Sequence, residues 1–241
     1  MEIPLPPGYL SAVPFDRERH RRLGVRDGTA KFASELNVIY LTAAEFPSAC
    51  HHFPIVFARE HAGNLVPVAL TALESDSNLF VDAFGVWDQQ TYCPAYVRRY
   101  PFFSAIVVNE GCEQSLICVD EHGLSSRVPS LIDAQGNPTE RWREVELLIS
   151  EMINQQQDTA RFCSYLSEHD LIEPFEADFH PRGMAEVRVA GLFRVNEQRL
   201  RNIHSDMLQT LLKQGDLAKI YAHLLSFENF NRLLNLHVKY A

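Results

Sequence analysis

The first half of the chain alternates short apolar runs with turn-forming residues. Between residues 36 and 120 the apolar runs are rich in Val, Ile and Phe, and polar breaks such as residues 74–78 separate them. Runs that are this short and this rich in β-branched and aromatic residues favour strands over helices. The pattern predicts strands at residues 36–42, 54–58, 65–73, 79–82, 104–108 and 116–120.

A helical pattern begins near residue 137. Asn137, Pro138 and Glu140 supply a cap-type residue, a proline at the first helical position and a glutamate three residues after the cap, which resembles a capping box. We therefore predict a long helix from this point. Its core-facing stripe is predicted by apolar residues that recur every three or four positions: Trp142, Val145, Leu148, Met152, Thr159, Cys163 and Leu166.

Strict alternation marks residues 173–195 as a β-hairpin. Phe175, Ala177 and Phe179 share one face, and polar residues occupy the other. After a predicted turn at residues 181–183, the same alternation returns. Its apolar face is predicted to hold Val187, Val189, Phe193 and Val195. One wet face is typical of an antiparallel hairpin.

The last part of the chain, residues 196–241, is predicted to be helical. Gly215 is a predicted C-terminal stop between two helices. The apolar stripes of these helices are predicted at Met207, Leu208, Leu211 and Leu212, and then at Leu217, Ile220, Tyr221 and Leu224. A strand-rich half, a long helix, a hairpin and closing helices predict an α+β fold with a mostly antiparallel sheet, a long central helix and C-terminal helices. Regular βα alternation is missing, so a parallel doubly wound sheet is disfavoured.

Chain length and composition suggest one main domain. The 241 residues fit a single large core. Residues 1–35 are rich in Pro, Gly and charge, so we predict an extended N-terminal segment that lies on the body of the protein. Residues 36–241 are predicted to form the single α+β domain.

Charge and hydropathy restrict the partners. A formal net charge of −9 repels a phosphate backbone, so nucleic-acid binding is disfavoured. The basic stretch at residues 16–26 reads either as a solvated arm or as an anion or partner site. Apolar runs of 18 residues are missing and the first ten residues lack the pattern of a signal peptide, so we expect a soluble, cytoplasmic protein without membrane insertion.

Motifs for catalysis or metal binding are weak. Neighbouring His51 and His52, with His20 and His61, would be metal ligands only if their side chains converged, and adjacent residues of an extended chain point to opposite sides. We predict neither a metal site nor a cofactor. Cys93 is the most interesting thiol, because the nearby Arg98 would lower a thiol pKa. A purely structural role for Cys93 is the alternative.

Aromatic residues, prolines and a pair of arginines are concentrated at residues 78–103. If Pro94 starts a helical turn, Arg98 and Arg99 point to different faces. One arginine would then brace the fold through Asp82 or Asp88, and the other would face solvent or an anionic ligand. The aromatic residues nearby would either line a peptide groove or plug the end of the sheet.

A histidine on a predicted helix completes the predicted binding set. His223 lies on an apolar helix, where it is either a hydrogen-bonded core residue or a base. The predicted binding residues are Trp87, Tyr92, Tyr96, Arg98, Arg99, Tyr100 and His223. No residue is predicted to be catalytic.

A set of ordered motifs resembles the SapC family over about residues 36–230. The motifs are FPIVF at 53–57, LVPVAL at 65–70, NLFVD at 78–82 followed by Gly85 and Trp87, YVRRYPF at 96–102, CVDE at 118–121, GLFRVNE at 191–197 and IYAHLLS at 220–226. The resemblance implies a bacterial protein of a family named after a locus for surface-layer protein export. Its members are often encoded near proteins like flavin-dependent tryptophan halogenases, like iron and 2-oxoglutarate oxygenases, and near outer-membrane receptors. The resemblance implies no catalytic residues.

Three functional hypotheses follow. The first is a soluble accessory protein that binds a peptide or protein partner, linked to surface-layer or peptide processing and export. The second is an enzyme acting on a peptide or small molecule near Cys93, Tyr96, Arg98 and His223, or an accessory to a halogenase-like or oxygenase-like system. The third is a homodimer that pairs through the C-terminal helices.

Overall fold

The computed structural model describes residues 3–26, 28–60, 62–109, 112–180 and 185–240. Its strands are β1 (Val13–Pro14), β2 (Gly24–Val25), β3 (Val38–Tyr40), β4 (Ile55–Arg59), β5 (Leu65–Leu70), β6 (Phe102–Asn109), β7 (Cys112–Val119), β8 (Leu124–Ser125), β9 (Ile172–Phe179) and β10 (Val187–Val195). Its α-helices are α1 (Phe46–Ala49), α2 (Ala95–Arg98), α3 (Glu140–Glu168), α4 (Glu197–Arg201), α5 (Ser205–Lys213), α6 (Asp216–Ser226) and α7 (Asn229–Tyr240).

The sheets are antiparallel. A five-stranded sheet has the order β3-β5-β4-β10-β9, a three-stranded sheet has the order β1-β7-β6, and β2 pairs with β8. Each of the strand pairings is antiparallel. Together with the long α3 and the closing helices, this confirms the predicted α+β fold. The short Val-, Ile- and Phe-rich runs form strands because both faces of β4 and β5 are largely buried.

Helix α3 connects the two main sheets. Near its start, Trp142 stacks on Phe15 at 3.9 Å and meets Phe102 of β6 edge-on. Near its end, Phe162 packs against Phe46 and Phe57 beside the five-stranded sheet. The two ends of the predicted apolar stripe are therefore confirmed as core: Trp142 and Val145 belong to one cluster, and Cys163 and Leu166 belong to the other. In the middle of the stripe, Leu148 belongs to neither cluster, and its neighbour Ile149 is the buried residue.

Two local predictions are wrong. Residues 79–82 form no strand, because Asp82 holds a tight turn by accepting hydrogen bonds from the backbone of Phe84 and Val86. Helix α3 begins at Glu140 with Thr139 as its N-cap, so the predicted capping box at Asn137 does not form. The backbone N–H of Asn137 instead donates to the Asp133 side chain.

The predicted hairpin is confirmed as β9 and β10, with one change of face. A bulge lies between Val189 and Leu192, where Gly191 has a φ of +76°. Val189 pairs with Ala177 and Phe193 pairs with Pro174. Val195 pairs with Ile172. Because side chains alternate along a strand, the bulge places both Phe193 and Val195 on the face opposite Val189, contrary to the prediction. The predicted turn at residues 181–183 lies outside the described residues.

The N-terminal segment takes part in both the sheets and the core. Strand β1 pairs with β7, and Tyr9 is buried. The Asp120 side chain accepts hydrogen bonds from the backbone of Leu10 and from the Ser11 hydroxyl. These contacts fix residues 9–14 on the body of the protein. The domain division after residue 35 stays a prediction.

Gly215 separates α5 from α6, as predicted, with a φ of +72°. The first residue of α6, Asp216, is fully buried and pairs with Arg161 of α3 at 2.9 Å and with Lys219 at 2.7 Å. Burial raises the pKa of Asp216, but hydrogen bonds and charge from these two cations outweigh burial and hold the pKa below its usual value. This ion pair joins the C-terminal helices to α3.

Replacing Asp216 with asparagine is expected to lower the free energy of unfolding by about 1–3 kcal/mol, because the variant loses both ion pairs while the two cations regain partial hydration. Asp206→Asn is the matched control, since Asp206 also lies in the first turn of a helix but is exposed. Urea denaturation of both variants at pH 7 gives the comparison. Equal stability losses would contradict a specific role for the buried pair.

Candidate functional site: a cleft beside Arg99

A cleft of about 830 Å³ opens between α3 and one end of the five-stranded sheet. Pro6 and Pro7 of the N-terminal segment form one wall, and Tyr96 and Arg99 project from α2 and its end. Tyr40 marks the place where β3 borders the cleft. Residues 59–60 and 63–67, around the connection between β4 and β5, also line it, so the cleft brings together five parts of the chain that are separate in sequence.

Helix α2 sets the direction of the two arginines. Pro94 is its extended N-cap, and the backbone N–H of Ala95 donates to Glu45 at 2.7 Å. Residues three apart share a helix face, so Tyr96 and Arg99 both face the cleft. Arg98 points elsewhere, is exposed, and donates from its Nε to the Cys93 carbonyl at 3.1 Å. Arg98 and Arg99 therefore point to different faces, as predicted.

Arg99 lies among aromatic rings without an acidic partner. Its guanidinium carbon is 4.5 Å from the centre of the Tyr96 ring and 6.0 Å from that of Tyr9. Its Nε is buried and makes no hydrogen bond. Within the described part of the chain, no carboxyl group forms an ion pair with it. The guanidinium therefore keeps unused donors beside the cleft.

The predicted bracing of an arginine by Asp82 or Asp88 is absent from the described contacts. The Asp82 side chain accepts hydrogen bonds within its own turn, and Asp88 accepts one from the backbone of Gln90. Short acidic side chains readily bond to nearby backbone N–H groups in this way. Local turn formation thus engages both aspartates.

Most of the predicted aromatic set packs against other parts of the chain and stays outside the cleft. Trp87 is buried and donates to the Tyr92 carbonyl. The Tyr92 hydroxyl donates to Glu45 at 3.0 Å, and burial raises the pKa of Tyr92 to about 12. Tyr100 stacks at 4.1 Å on Phe32. These three aromatic residues do not line the cleft.

Tyr96 is the aromatic member of the predicted set that does line the cleft. Its ring is mostly buried, and its hydroxyl donates to the Pro7 carbonyl at 2.7 Å. Burial raises the pKa of this phenol far above its usual value, although the nearby Arg99 guanidinium acts in the opposite direction. Tyr96 is therefore a neutral, fixed wall that joins α2 to the N-terminal segment.

His223 is enclosed in the core and does not line the cleft. It has no exposed surface and packs against Phe57 and Phe227. Its Nε2 accepts a hydrogen bond from the backbone N–H of Val195 at 3.0 Å. Burial lowers the pKa of His223 to about 3. His223 is thus a neutral, hydrogen-bonded core histidine, the first of the two alternatives.

The thiols near the cleft are not activated. Burial raises the pKa of Cys93 to about 11 and outweighs the opposing charge of Arg98. The expected net lowering of the Cys93 pKa by Arg98 is therefore wrong. Cys163 lines the cleft, and burial raises its pKa to about 12. Both groups are thiols rather than nucleophilic thiolates at neutral pH.

Strand β3 forms an open edge of the five-stranded sheet. Its hydrogen bonds to β5 run through Asn37 and Leu41, as shown by Leu41 donating to Pro67 and Thr71 donating to Asn37. In an antiparallel pair, every second residue turns its N–H and C=O groups toward the neighbouring strand. Asn37 and Leu41 are two such residues, so the N–H and C=O groups of Val38 and Tyr40 point away from β5. Tyr40 also lines the cleft, which places unpaired backbone groups at its border.

Glu45 supports this site, although it is not among the residues predicted from the sequence. Glu45 is 6% exposed, and its side chain accepts hydrogen bonds from the backbone of Thr42 and Ala95 and from the Tyr92 hydroxyl. The signal was present, because Thr42 and Glu45 have the spacing of a capping box. Its contact with Ala95, 50 residues away, was not readable from that spacing.

The described residues contain neither a clustered set of metal ligands nor a helix that could span a membrane. Across the described ranges, no group of three or more His, Cys, Asp and Glu side chains is placed to hold a metal ion. His20 is buried, with its Nε2 3.2 Å from Glu121. His61 lies outside the residues that the structure describes. No helix among those residues combines the length and the hydropathy that a bilayer crossing needs.

Comparison with known proteins identifies a family. The family model described as SapC matches residues 15–233, which is most of the chain and includes part of the N-terminal segment. No curated protein and no solved structure gives a significant match.

Proposed function

The chain belongs to the SapC family, and we propose that it binds an extended segment of a peptide or protein partner in the cleft beside Arg99. The observation that carries this proposal is the open edge of β3 at the cleft border. A sheet edge with outward N–H and C=O groups can pair with an incoming strand, and the main-chain hydrogen bonds then supply affinity.

The side chains around the edge suit such a ligand. The cleft offers rigid apolar surface that loses little conformational entropy on binding. This surface is formed by Pro6, Pro7, Tyr40 and Tyr96. The Tyr96 ring is already fixed by its bond to Pro7. A preorganised wall lowers the free-energy cost of association. Neither Cys93 nor Cys163 favours catalysis, because burial raises both thiol pKa values.

The biological setting of the proposal comes from the family resemblance. We place the protein as an accessory to surface-layer or peptide processing and export, with the halogenase-like or oxygenase-like systems as the alternative setting. In either setting the cleft would hold part of a protein or peptide substrate for another component. The cytoplasmic location and the homodimer stay predictions.

An N-methyl scan of a bound peptide tests the edge-pairing mode. Peptides would first be selected from a random library against the purified full chain, and one binder would then be synthesised with a single N-methyl group at each position in turn. In a strand paired with β3, alternate N–H groups face the sheet edge. We expect every second substitution across the contact to weaken binding by about tenfold, and the others to change it by less than about twofold.

The control is the same scan with a peptide of the same composition and scrambled order. Sensitivity without a two-residue period would contradict strand pairing. Failure of the library to give any binder whose affinity falls when Tyr40 or Tyr96 is replaced by alanine would contradict the cleft as the binding site.

A further inference from the structure

Arg99 has an electrostatic environment that a structural arginine rarely has. Its Nε is buried without a hydrogen bond, and its guanidinium carbon lies 4.5 Å from the centre of the Tyr96 ring and 6.0 Å from that of the Tyr9 ring. A buried donor without a partner costs about 1–3 kcal/mol. Arg99 also lines the cleft, so a ligand there would meet the Nη end of the guanidinium and supply the charge partner that the described residues do not.

We propose that Arg99 is the recognition point for a carboxylate group of the bound peptide. A guanidinium over an aromatic face keeps its in-plane N–H groups available, and these form a planar fork that matches the two oxygens of a carboxylate. The Tyr96 ring, fixed on Pro7, sets the plane of approach. The inference rests on the proposed function, because it names the group that the cleft recognises.

The charges around the cleft favour a single negative charge over a phosphate. The cleft lining also contains Arg59, but it contains the acidic residues Glu45, Glu60 and Glu168 as well. Arg59 itself is partly engaged, with Nη1 donating to the Gly63 carbonyl at 3.0 Å and its guanidinium over the Phe193 ring. A dianion would meet this acidic lining and a chain of net charge −9, whereas a carboxylate needs only one guanidinium.

The carboxylate has two possible sources, which are the C-terminus of a peptide and an Asp or Glu side chain. Three probes separate them: N-acetyl-Ala-Ala with a free C-terminus, the same dipeptide as its C-terminal amide, and N-acetyl-aspartyl amide. Inorganic phosphate is a fourth probe. The readout is the Nε–H cross-peak of Arg99 in the ¹⁵N-labelled full chain, because this group reports directly on a new hydrogen bond.

We expect both acids to shift the Arg99 cross-peak saturably and the dipeptide amide to leave it unchanged. Arg99→Met should weaken binding of the acids by about tenfold or more, measured by backbone amide shifts at Tyr40 and Tyr96. Arg99→Lys keeps the charge but loses the planar fork, so it should restore only part of the affinity. Arg98→Met is the matched control, since Arg98 does not line the cleft, and it should change affinity by less than about twofold.

The relative affinity of the two acids identifies the source, and a preference for either one supports the inference. The inference is overturned if phosphate binds more tightly than both acids, if the amide binds as well as the acid, or if no acid shifts the Arg99 cross-peak. Library peptides that bind equally well after their C-terminus is amidated and their Asp and Glu residues are replaced by Asn and Gln would remove the carboxylate inference and leave the proposed function standing. Saturable binding of the acids, together with an N-methyl scan that shows no two-residue period, would support carboxylate recognition by Arg99 and contradict strand pairing with β3.

Discussion

Replacing Glu45 with alanine is expected to lower the free energy of unfolding by about 3–5 kcal/mol. The Glu45 carboxyl oxygens accept from the Thr42 backbone at 2.8 Å, the Tyr92 hydroxyl at 3.0 Å and the Ala95 backbone at 2.7 Å. Glu45 is almost fully buried, so its removal leaves these donors without partners and without water. For a chain of this size the loss corresponds to a fall in melting temperature of about 6–20 °C.

Urea denaturation and thermal melting measure this effect, and Glu74→Ala is the matched control. Glu74 is exposed, so its replacement should change stability by less than about 0.5 kcal/mol. Glu45→Gln keeps one acceptor oxygen and should lie between the wild type and the alanine variant. A loss below about 1 kcal/mol for Glu45→Ala would show that water or a rearrangement replaces the network.

Acid is expected to destabilise the protein through His223, starting below about pH 6.5. The pKa of His223 is lowered from 6.5 to about 3 in the folded state by burial, with a smaller effect of the Arg194 charge. Between these two values the unfolded chain binds the proton and the folded chain does not. Above the pKa of the unfolded chain, His223 therefore does not lower the free energy of unfolding. Below that value, the free energy of unfolding falls by about 1.4 kcal/mol for each pH unit.

Urea denaturation of the wild type and His223→Gln at pH 7, 6, 5 and 4.5 tests this. The glutamine side chain can accept the Val195 hydrogen bond but does not titrate, so the stability of the variant should depend much less on pH across this range. His51→Gln, at an exposed position, should follow the wild type. Asp120 and Asp216, whose pKa values are lowered, contribute to acid sensitivity only at lower pH. Parallel pH profiles for the wild type and His223→Gln would contradict a neutral buried histidine.

Periodic patterns predicted the regular elements well. The β9–β10 hairpin, the stripe on α3 and the break at Gly215 follow from alternation, from three-to-four spacing and from glycine at a helix end. Each of these signals arises from a local interaction or from one side of an element facing the core. The antiparallel sheet also followed from the absence of regular βα alternation.

Features that depend on distant contacts were not predictable. Residues 79–82 have the composition of a strand, but the Asp82 turn limits their pairing to a single antiparallel bridge between Val81 and Trp87. The bulge at Gly191 reverses the face of Phe193, and alternation in the sequence does not show an inserted residue. Local spacing cannot report which strand lies opposite or how the register shifts.

The candidate site was also predictable only in part, for the same reason. The sequence drew attention to Tyr96 and Arg99 because rings and guanidinium groups are concentrated in one segment, and these two residues do line the cleft. It did not separate them from Trp87 and Tyr100, which stay outside the cleft. The difference depends on Pro7 and Tyr9, about 90 residues earlier in the chain, which complete the surroundings of α2. Residue type alone does not encode that contact.

The central claim is that the cleft beside Arg99 holds an extended peptide against β3. Chemical-shift mapping on the ¹⁵N-labelled full chain, titrated with a library-selected peptide, tests it most directly. The account predicts that the largest shifts fall on the backbone amides of Val38, Tyr40 and Tyr96 and on the Nε–H of Arg99. Shifts that cluster instead on the exposed apolar residues of α5 and α6, such as Leu212 and Leu225, with the β3 amides unchanged, would contradict it.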